Sequence, residues 1–108
     1  MALSYRLINS PSASTRRLLT RRMPAERGGA EEEALFMKKS ASWGAVLLVQ
    51  GPLAEMFWAA DVGAKTSPVV VAEVVGNCPQ HIVTMAFIGA VADVTQVLTA
   101  LRSEGAIA

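Results

Sequence analysis

The chain has 108 residues and a mass of 11.4 kDa, which limits it to one domain with a single core. Hydrophobic residues make up 52% of it and charged residues 18%, and this composition excludes intrinsic disorder. The formal net charge of +1 predicts neither a nucleic-acid partner nor a membrane-surface partner. The apolar share exceeds what one small core can bury, so we expect copies of the chain to cover part of it.

The chain has one cysteine, Cys78, so no intrachain disulfide is possible and we expect a reducing compartment. The longest apolar stretch, residues 69–92, is interrupted by Glu73 and by the polar run 76–81, so we expect no membrane span. No secretory signal is recognisable at the amino terminus. Five arginines precede the first acid, Glu26, a composition also found in organellar transit peptides, but the strand pattern near the start favours a folded segment.

Residues 4–9 predict a short strand, which Ser10-Pro11 ends because proline cannot donate to a ladder. Residues 12–42 are polar and uneven, and their overall pattern does not predict a defined arrangement of the segment. Within them, residues 31–39 predict a short helix with glutamates in its first turn and lysines in its last. The arginines of this segment predict a solvated face or charge that lines a hexamer. No aromatic residues interleave with them to indicate nucleic-acid binding.

Residues 43–50 form an apolar run that predicts a strand covered on at least one face. Gly51-Pro52 then opens a helix, with the proline in the first turn, where its missing N–H costs nothing. The helix is expected to end at residues 66–68. Its apolar residues at helical spacing predict one buried stripe, made of Leu53, Met56, Phe57, Ala60 and Ala64.

Residues 69–75 and 82–88 are rich in β-branched residues and predict two further strands. Six residues separate them, too few for a crossover helix, so the two strands should pair as an antiparallel hairpin. A final helix follows Gly89 and ends at Gly105. Its buried stripe is predicted to be Val94, Val97, Leu98 and Leu101.

These elements predict an α+β fold, ferredoxin-like in outline, with both helices packed on one face of an antiparallel-containing sheet. The other face is left to solvent or to partners. The last strand of such a fold is missing from the end, and the leading strand is the candidate to fill the gap. We therefore expect one domain, 1–108, made of a strand segment 1–11, a variable segment 12–42 and a β-α-β-β-α core 43–108.

The run Ala59-Ala60-Asp61, followed four residues later by Lys65, looks like the first-helix motif of the bacterial microcompartment shell domain. From Trp43 onward, the order and spacing of the predicted elements also resemble that family. The usual family member ends with a strand that is followed by a proline-containing tail. In this chain that type of strand is near the start, at residues 5–11. This pattern resembles the circularly permuted shell proteins of ethanolamine and propanediol compartments.

The resemblance implies a cyclic homohexamer that tiles edge to edge with other shell proteins in a microcompartment shell in the cytoplasm. It places Lys65 at the hexamer edge, against its twofold mate, where a long side chain can donate to facing carbonyls. A helix C-terminal cation is the alternative interpretation of Lys65, and both can hold. Near Asn9 and Ser10 the chain lacks the arginine that the family often uses at this edge. The pore loop at the sixfold axis would be Gly76, Asn77, Cys78, Pro79, Gln80 and His81.

The loop resembles that of the glycyl-radical-type propanediol shell proteins, whose pore cysteine is associated with an iron–sulfur cluster. One cysteine cannot hold a cubane, which needs about four thiolates, but a cyclic assembly brings every copy of Cys78 to one axis. The resemblance thus implies a cluster, 4Fe–4S in type, that passes electrons or is itself passed to an enclosed glycyl-radical enzyme system. Sixfold symmetry does not match four ligands, so either some cysteines stay unused, or the hexamer distorts, or the cluster binds in mixed orientations. His81 is interpreted as the start of a strand, with a pore-facing donor as the alternative.

Two other functions stay open at this point. The shell tile could have a plain metabolite pore, with Cys78 free of metal. The chain could also be a small ferredoxin-like ligand-binding regulator that works as a dimer or trimer. An enzyme is not expected, because the sequence has no paired carboxylates in a cleft pattern, no Ser/His/Asp set and no Gly-rich phosphate loop.

Overall fold

A computed structural model describes residues 3–23, 43–76 and 82–108. Within these ranges, no helix is long and apolar enough to cross a membrane. The elements in chain order are β1 (Ser4–Asn9), α1 (Ala13–Arg21), β2 (Ala45–Pro52), α2 (Leu53–Thr66), β3 (Val70–Val74), β4 (Ile82–Gly89) and α3 (Val91–Ser103).

The four strands form one antiparallel sheet in the order β1-β2-β4-β3. Because β2 and β3 both run antiparallel to β4, they are parallel to each other, and α2 connects them in the predicted βαβ arrangement. The predicted hairpin is confirmed by the antiparallel pairing of β3 with β4. The leading strand β1 fills the sheet edge beside β2, with Ser4 opposite Gln50 and Asn9 opposite Ala45.

Helices α2 and α3 cover one face of the sheet and enclose the main core. The largest side chains that the strands bury completely there are Leu47, Val49 and Phe87. The stripe predicted for α3 is confirmed, since all four of its members are buried against this face. Gly105, at φ +78°, follows the helix and ends it as predicted.

The stripe predicted for α2 is wrong in most of its members. The residues that α2 buries are Met56, Ala59 and Gly63, whereas Leu53 is 48% and Phe57 60% exposed. Ala60 is only half-buried and Ala64 is exposed. The helix is apolar on nearly every side, so spacing alone could not choose between its faces, and the face with the smallest residues allows the closest approach to the sheet.

The sequence predicted that the opposite face of the sheet is left to solvent or to partners, but part of this face is covered by the chain itself. A second cluster of buried residues lies there: Trp43, Val46, Ala86 and Ile88. Helix α1, which the sequence did not predict, packs Leu19 onto this cluster, and Met23, just beyond the helix, joins it. The sheet therefore has an apolar layer on both faces.

The start of α2 also differs from the prediction. β2 continues through Pro52, which pairs with Ile82 and adopts φ −62° and ψ 151° as the N-cap of α2. The proline thus precedes the helix instead of occupying its first turn. The helix predicted at residues 31–39 lies outside the described residues.

Candidate functional site

The predicted pore loop joins two strands of the sheet at the end where β2 runs into α2. Val74 and Thr84 are the last opposed pair of β3 and β4, and Ile82 lies opposite Pro52. The two apolar side chains that flank the loop, Val75 and Ile82, are both exposed. Of the loop itself, Gly76 is described and exposed. Asn77, Cys78, Pro79, Gln80 and His81 lie outside the described residues.

The chain that leads into this loop is attached to the end of α1. The backbone N–H of Val75 donates to the carbonyl of Arg22 at 2.7 Å. In return, Nη1 of Arg22 donates to the carbonyl of Val75 at 3.3 Å. Sequence reasoning treated Arg22 as part of a solvated face and missed this attachment. No local signal could have revealed it, because the two residues are 53 positions apart in the chain.

Lys65 lies in the last turn of α2 and is 76% exposed. Its Nζ is 2.8 Å from Oδ2 of Asp61, one helical turn earlier. An acid placed four residues before a base is the favourable order for such a pair, and a cation near the helix C-terminus also suits the helix dipole. Lys65 lies before the start of β3, whereas Gly76, the described residue of the loop, follows the end of β3, so the length of this strand separates the two.

The first half of α2 presents a group of large apolar side chains to the surface of the single chain. These exposed side chains are Leu53, Phe57 and Trp58. The composition predicts surplus apolar residues of this kind, and the structure shows where they lie. Their burial against copies of the chain stays a prediction.

The segments that flank β1 and α3 are joined to each other. The backbone N–H of Leu3 donates to the carbonyl of Ala106 at 2.8 Å. Arg102 donates from Nη2 to the hydroxyl of Tyr5 at 2.8 Å and from Nε to the carbonyl of Ala108 at 3.2 Å. Its guanidinium also lies over the Tyr5 ring, 5.7 Å from the centroid. The strand that starts the sheet is therefore held at the end of the last helix.

Among the described residues, no group of three or more histidine, cysteine, aspartate or glutamate side chains could hold a metal ion. Cys78 and His81 are outside the residues to which this applies. The described carboxylates lie on α2, β3 and α3 and after α3, not around one cleft.

Two solved structures are similar to the chain over almost its whole length. The ligand-free GrpU microcompartment shell protein from Pectobacterium wasabiae is 29% identical, with a TM-score of 0.65, and the match covers 92% of this chain and 99% of that one. The ligand-free GrpU microcompartment shell protein from Clostridiales bacterium 1_7_47FAA is 25% identical, with a TM-score of 0.62, and the match covers 94% of each chain.

No protein-family model and no curated protein matches the chain. The similarity to solved shell proteins nevertheless identifies the class: the chain is a microcompartment shell protein, a structural protein and not an enzyme. Its place is the shell of a bacterial microcompartment in the cytoplasm. The ligand-binding regulator is therefore set aside, while the permuted order and the pore cysteine stay predictions.

Proposed function

We propose that the chain forms a cyclic homohexamer that tiles with other shell proteins and carries loop 76–81 at its sixfold axis. In this proposal, copies of Cys78 hold an iron–sulfur cluster in the pore, for transfer of electrons or of the cluster across the shell. The observation that carries it is the loop's position: it joins two strands of a sheet with an apolar layer on both faces. A loop anchored at both ends by such a sheet can present one side chain repeatedly around an axis.

The exposed apolar side chains support the ring. Phe57 is 60% exposed in the single chain, and aromatic side chains of this size contribute strongly to interfaces when they are buried. Val75 and Ile82, at the base of the loop, would come close to their counterparts in neighbouring copies if the loop lies at the axis. Formation of the ring would therefore bury these apolar side chains around the pore.

The donor chemistry of the chain fits a cluster only in an assembly. Each chain contributes one thiol, from Cys78, and a cubane takes about four thiolates. A sixfold ring supplies enough thiols, and two of them would stay unbound. When bound, such a cluster supplies one-electron redox chemistry. The chain's own contribution is to hold the thiols, and the attachment of Val75 to Arg22 fixes the strand that leads to them.

The partner that would use these electrons is an enzyme enclosed by the shell, and we propose one with glycyl-radical chemistry. The support is the loop's resemblance to the shell proteins of glycyl-radical propanediol compartments.

The circularly permuted order belongs to the same proposal. The hydrogen bond from Leu3 to Ala106 and the bridge from Arg102 to Tyr5 put the segment after α3 beside the start of β1. A chain that continued from α3 directly into this edge strand would have the order of the usual shell domain. The position of the edge strand beside the end of α3 therefore supports the permuted order.

Cys78→Ser tests the cluster, because serine keeps the size of the side chain and removes the soft ligand. Protein purified without oxygen and reconstituted with iron and sulfide should be brown and contain about four irons per ring. The serine variant should be colourless while its mass by light scattering stays near six times 11.4 kDa, as for the parent protein. A colourless parent protein would replace the cluster with the plain metabolite pore, and a parent mass of one or two chains would reject the ring itself.

A further inference from the structure

The two faces of the sheet carry opposite charge. Helix α1, on the second cluster, contains Arg16, Arg17 and Arg21, and Arg22 follows it as the C-cap. On β1, Arg6 lies on the same side as Ile8, which packs against the second cluster, because alternate residues of a strand share a face. Within the described ranges, these five arginines have no acidic residue on their face.

The described acids all lie on the other face. Glu55 and Asp61 are in α2, Asp93 is in α3 and Glu104 is its C-cap. Glu73 lies on the same side of β3 as Val71, which packs against the main core. These five acids are opposed there by only two bases, Lys65 and Arg102, so the described residues place +5 on the α1 face and −3 on the other.

The outward side of α1 combines this charge with an apolar side chain. Arg17 and Arg21 are one turn apart and both exposed, and Leu18, between them in sequence, is 60% exposed. At helical spacing, Arg17, Leu18 and Arg21 share one outward arc, whereas Leu19 faces the second cluster. Two like charges at this spacing destabilise a helix unless a counter-charge binds to them. We call this arc the Arg17–Arg21 surface.

We propose that the Arg17–Arg21 surface is a docking site for an acidic protein segment that carries an apolar side chain. Guanidinium groups pair in bidentate fashion with carboxylates, and arginine is enriched among the residues that contribute most to binding at protein interfaces. A single-stranded nucleic acid fits less well, because its bases stack on exposed aromatic side chains. The aromatic residue described on this face, Trp43, is buried. The proposal goes beyond the cluster and does not depend on it.

The test uses the full chain and a synthetic helix-forming peptide of glutamate, alanine and leucine, with fluorescence anisotropy at physiological salt. A peptide with lysine in place of glutamate and a polyuridylate RNA are the comparison probes. Arg17→Gln with Arg21→Gln should weaken binding of the acidic peptide about tenfold, as expected for two exposed charge pairs. Leu18→Ser should weaken it about fivefold through lost apolar contact. Gln96→Glu with Thr99→Glu changes the net charge equally on the exposed side of α3 and should leave binding unchanged.

Equal weakening in the two double variants would show attraction to net charge alone and would overturn the proposal. The proposal would also be overturned if the parent protein does not bind the acidic peptide. The same holds if it binds the RNA more tightly than the peptide and Leu18→Ser does not change the binding of the RNA. The chain's own acidic run, residues 31–33, is the other segment that could occupy this surface. If binding appears only after Glu31→Gln, Glu32→Gln and Glu33→Gln are combined, that run occupies the surface and the docking site for a partner is rejected.

Discussion

At Gly63 the backbone of α2 lies against the ring of Phe87. A Cβ built at this position would overlap ring carbons of Phe87, and it would lie 3.2 Å from a methyl of Val97. Both neighbours are completely buried, so neither can move aside cheaply. The glycine thus sets the distance between α2 and the sheet, and through it the position of the exposed apolar side chains on the outer side of the same helix.

Gly63→Ala should destabilise the protein even though alanine is the better helix former. Overpacking of a closed core costs about 1–3 kcal/mol, whereas the gain in helix propensity is at most about 1 kcal/mol. Urea unfolding of the variant measures the difference. Phe87→Leu makes room at the same spot, so the double variant should be more stable than the sum of the single effects indicates. Strict additivity would show that the two side chains do not compete for this space.

At the scale of whole elements, sequence patterns succeeded where apolar and polar residues alternate clearly. The α3 stripe was predictable because the polar residues Gln96, Thr99 and Arg102 mark the exposed side of the helix. Strands β3 and β4 were predictable from their β-branched residues, and β2 from its apolar run. In α2 the apolar residues surround the helix, so its pattern does not show that the buried side is the one on which Gly63 packs against Phe87. That contact is a tertiary fact without a local pattern.

Helix α1 was not predicted because its arginines suggested a solvated segment. Its local signals are the pair Ser12 and Thr15 at its start and the apolar residues Leu19 and Met23 one turn apart. The side-chain oxygen of Ser12 accepts from the backbone N–H of Thr15 at 3.1 Å and so caps the helix. What these signals could not show is the partner surface, since the second cluster is assembled from distant strands.

Ser12→Ala should weaken α1 by about 1 kcal/mol, because it leaves the first-turn N–H of Thr15 without its acceptor. Hydrogen exchange of the α1 amides should become faster, while exchange within β4 stays slow. Ser12→Asp should keep the cap and add a favourable charge at the helix N-terminus. Ser14→Ala, at an exposed position inside the helix, is the matched control. An equal effect in Ser14→Ala would mean that the hydroxyl of Ser12 has no capping role.

At the scale of the whole molecule, the part of the chain that the structure describes combines exposed apolar side chains on α2 with faces of opposite charge. Both properties suit a flat tile whose edges meet copies and whose two faces meet different surroundings. The class of protein could be predicted from the sequence because the order and spacing of its elements are local. The opposite charge of the faces could not, because four of the five arginines reach their face only through the packing of α1 on the sheet.

The edge of the tile is tested by Lys65→Ala. If Lys65 lies against its twofold mate, the variant should keep the mass of a ring of six chains but no longer form extended sheets in electron micrographs. Asp61→Asn is the matched control, because it removes the 2.8 Å ion pair within α2 and leaves the lysine in place. Both residues are more than half exposed, so loss of the pair alone should cost little stability. Sheets that persist in Lys65→Ala, or that vanish equally in Asp61→Asn, would contradict the edge role and leave Lys65 as a cation that stabilises the end of its own helix.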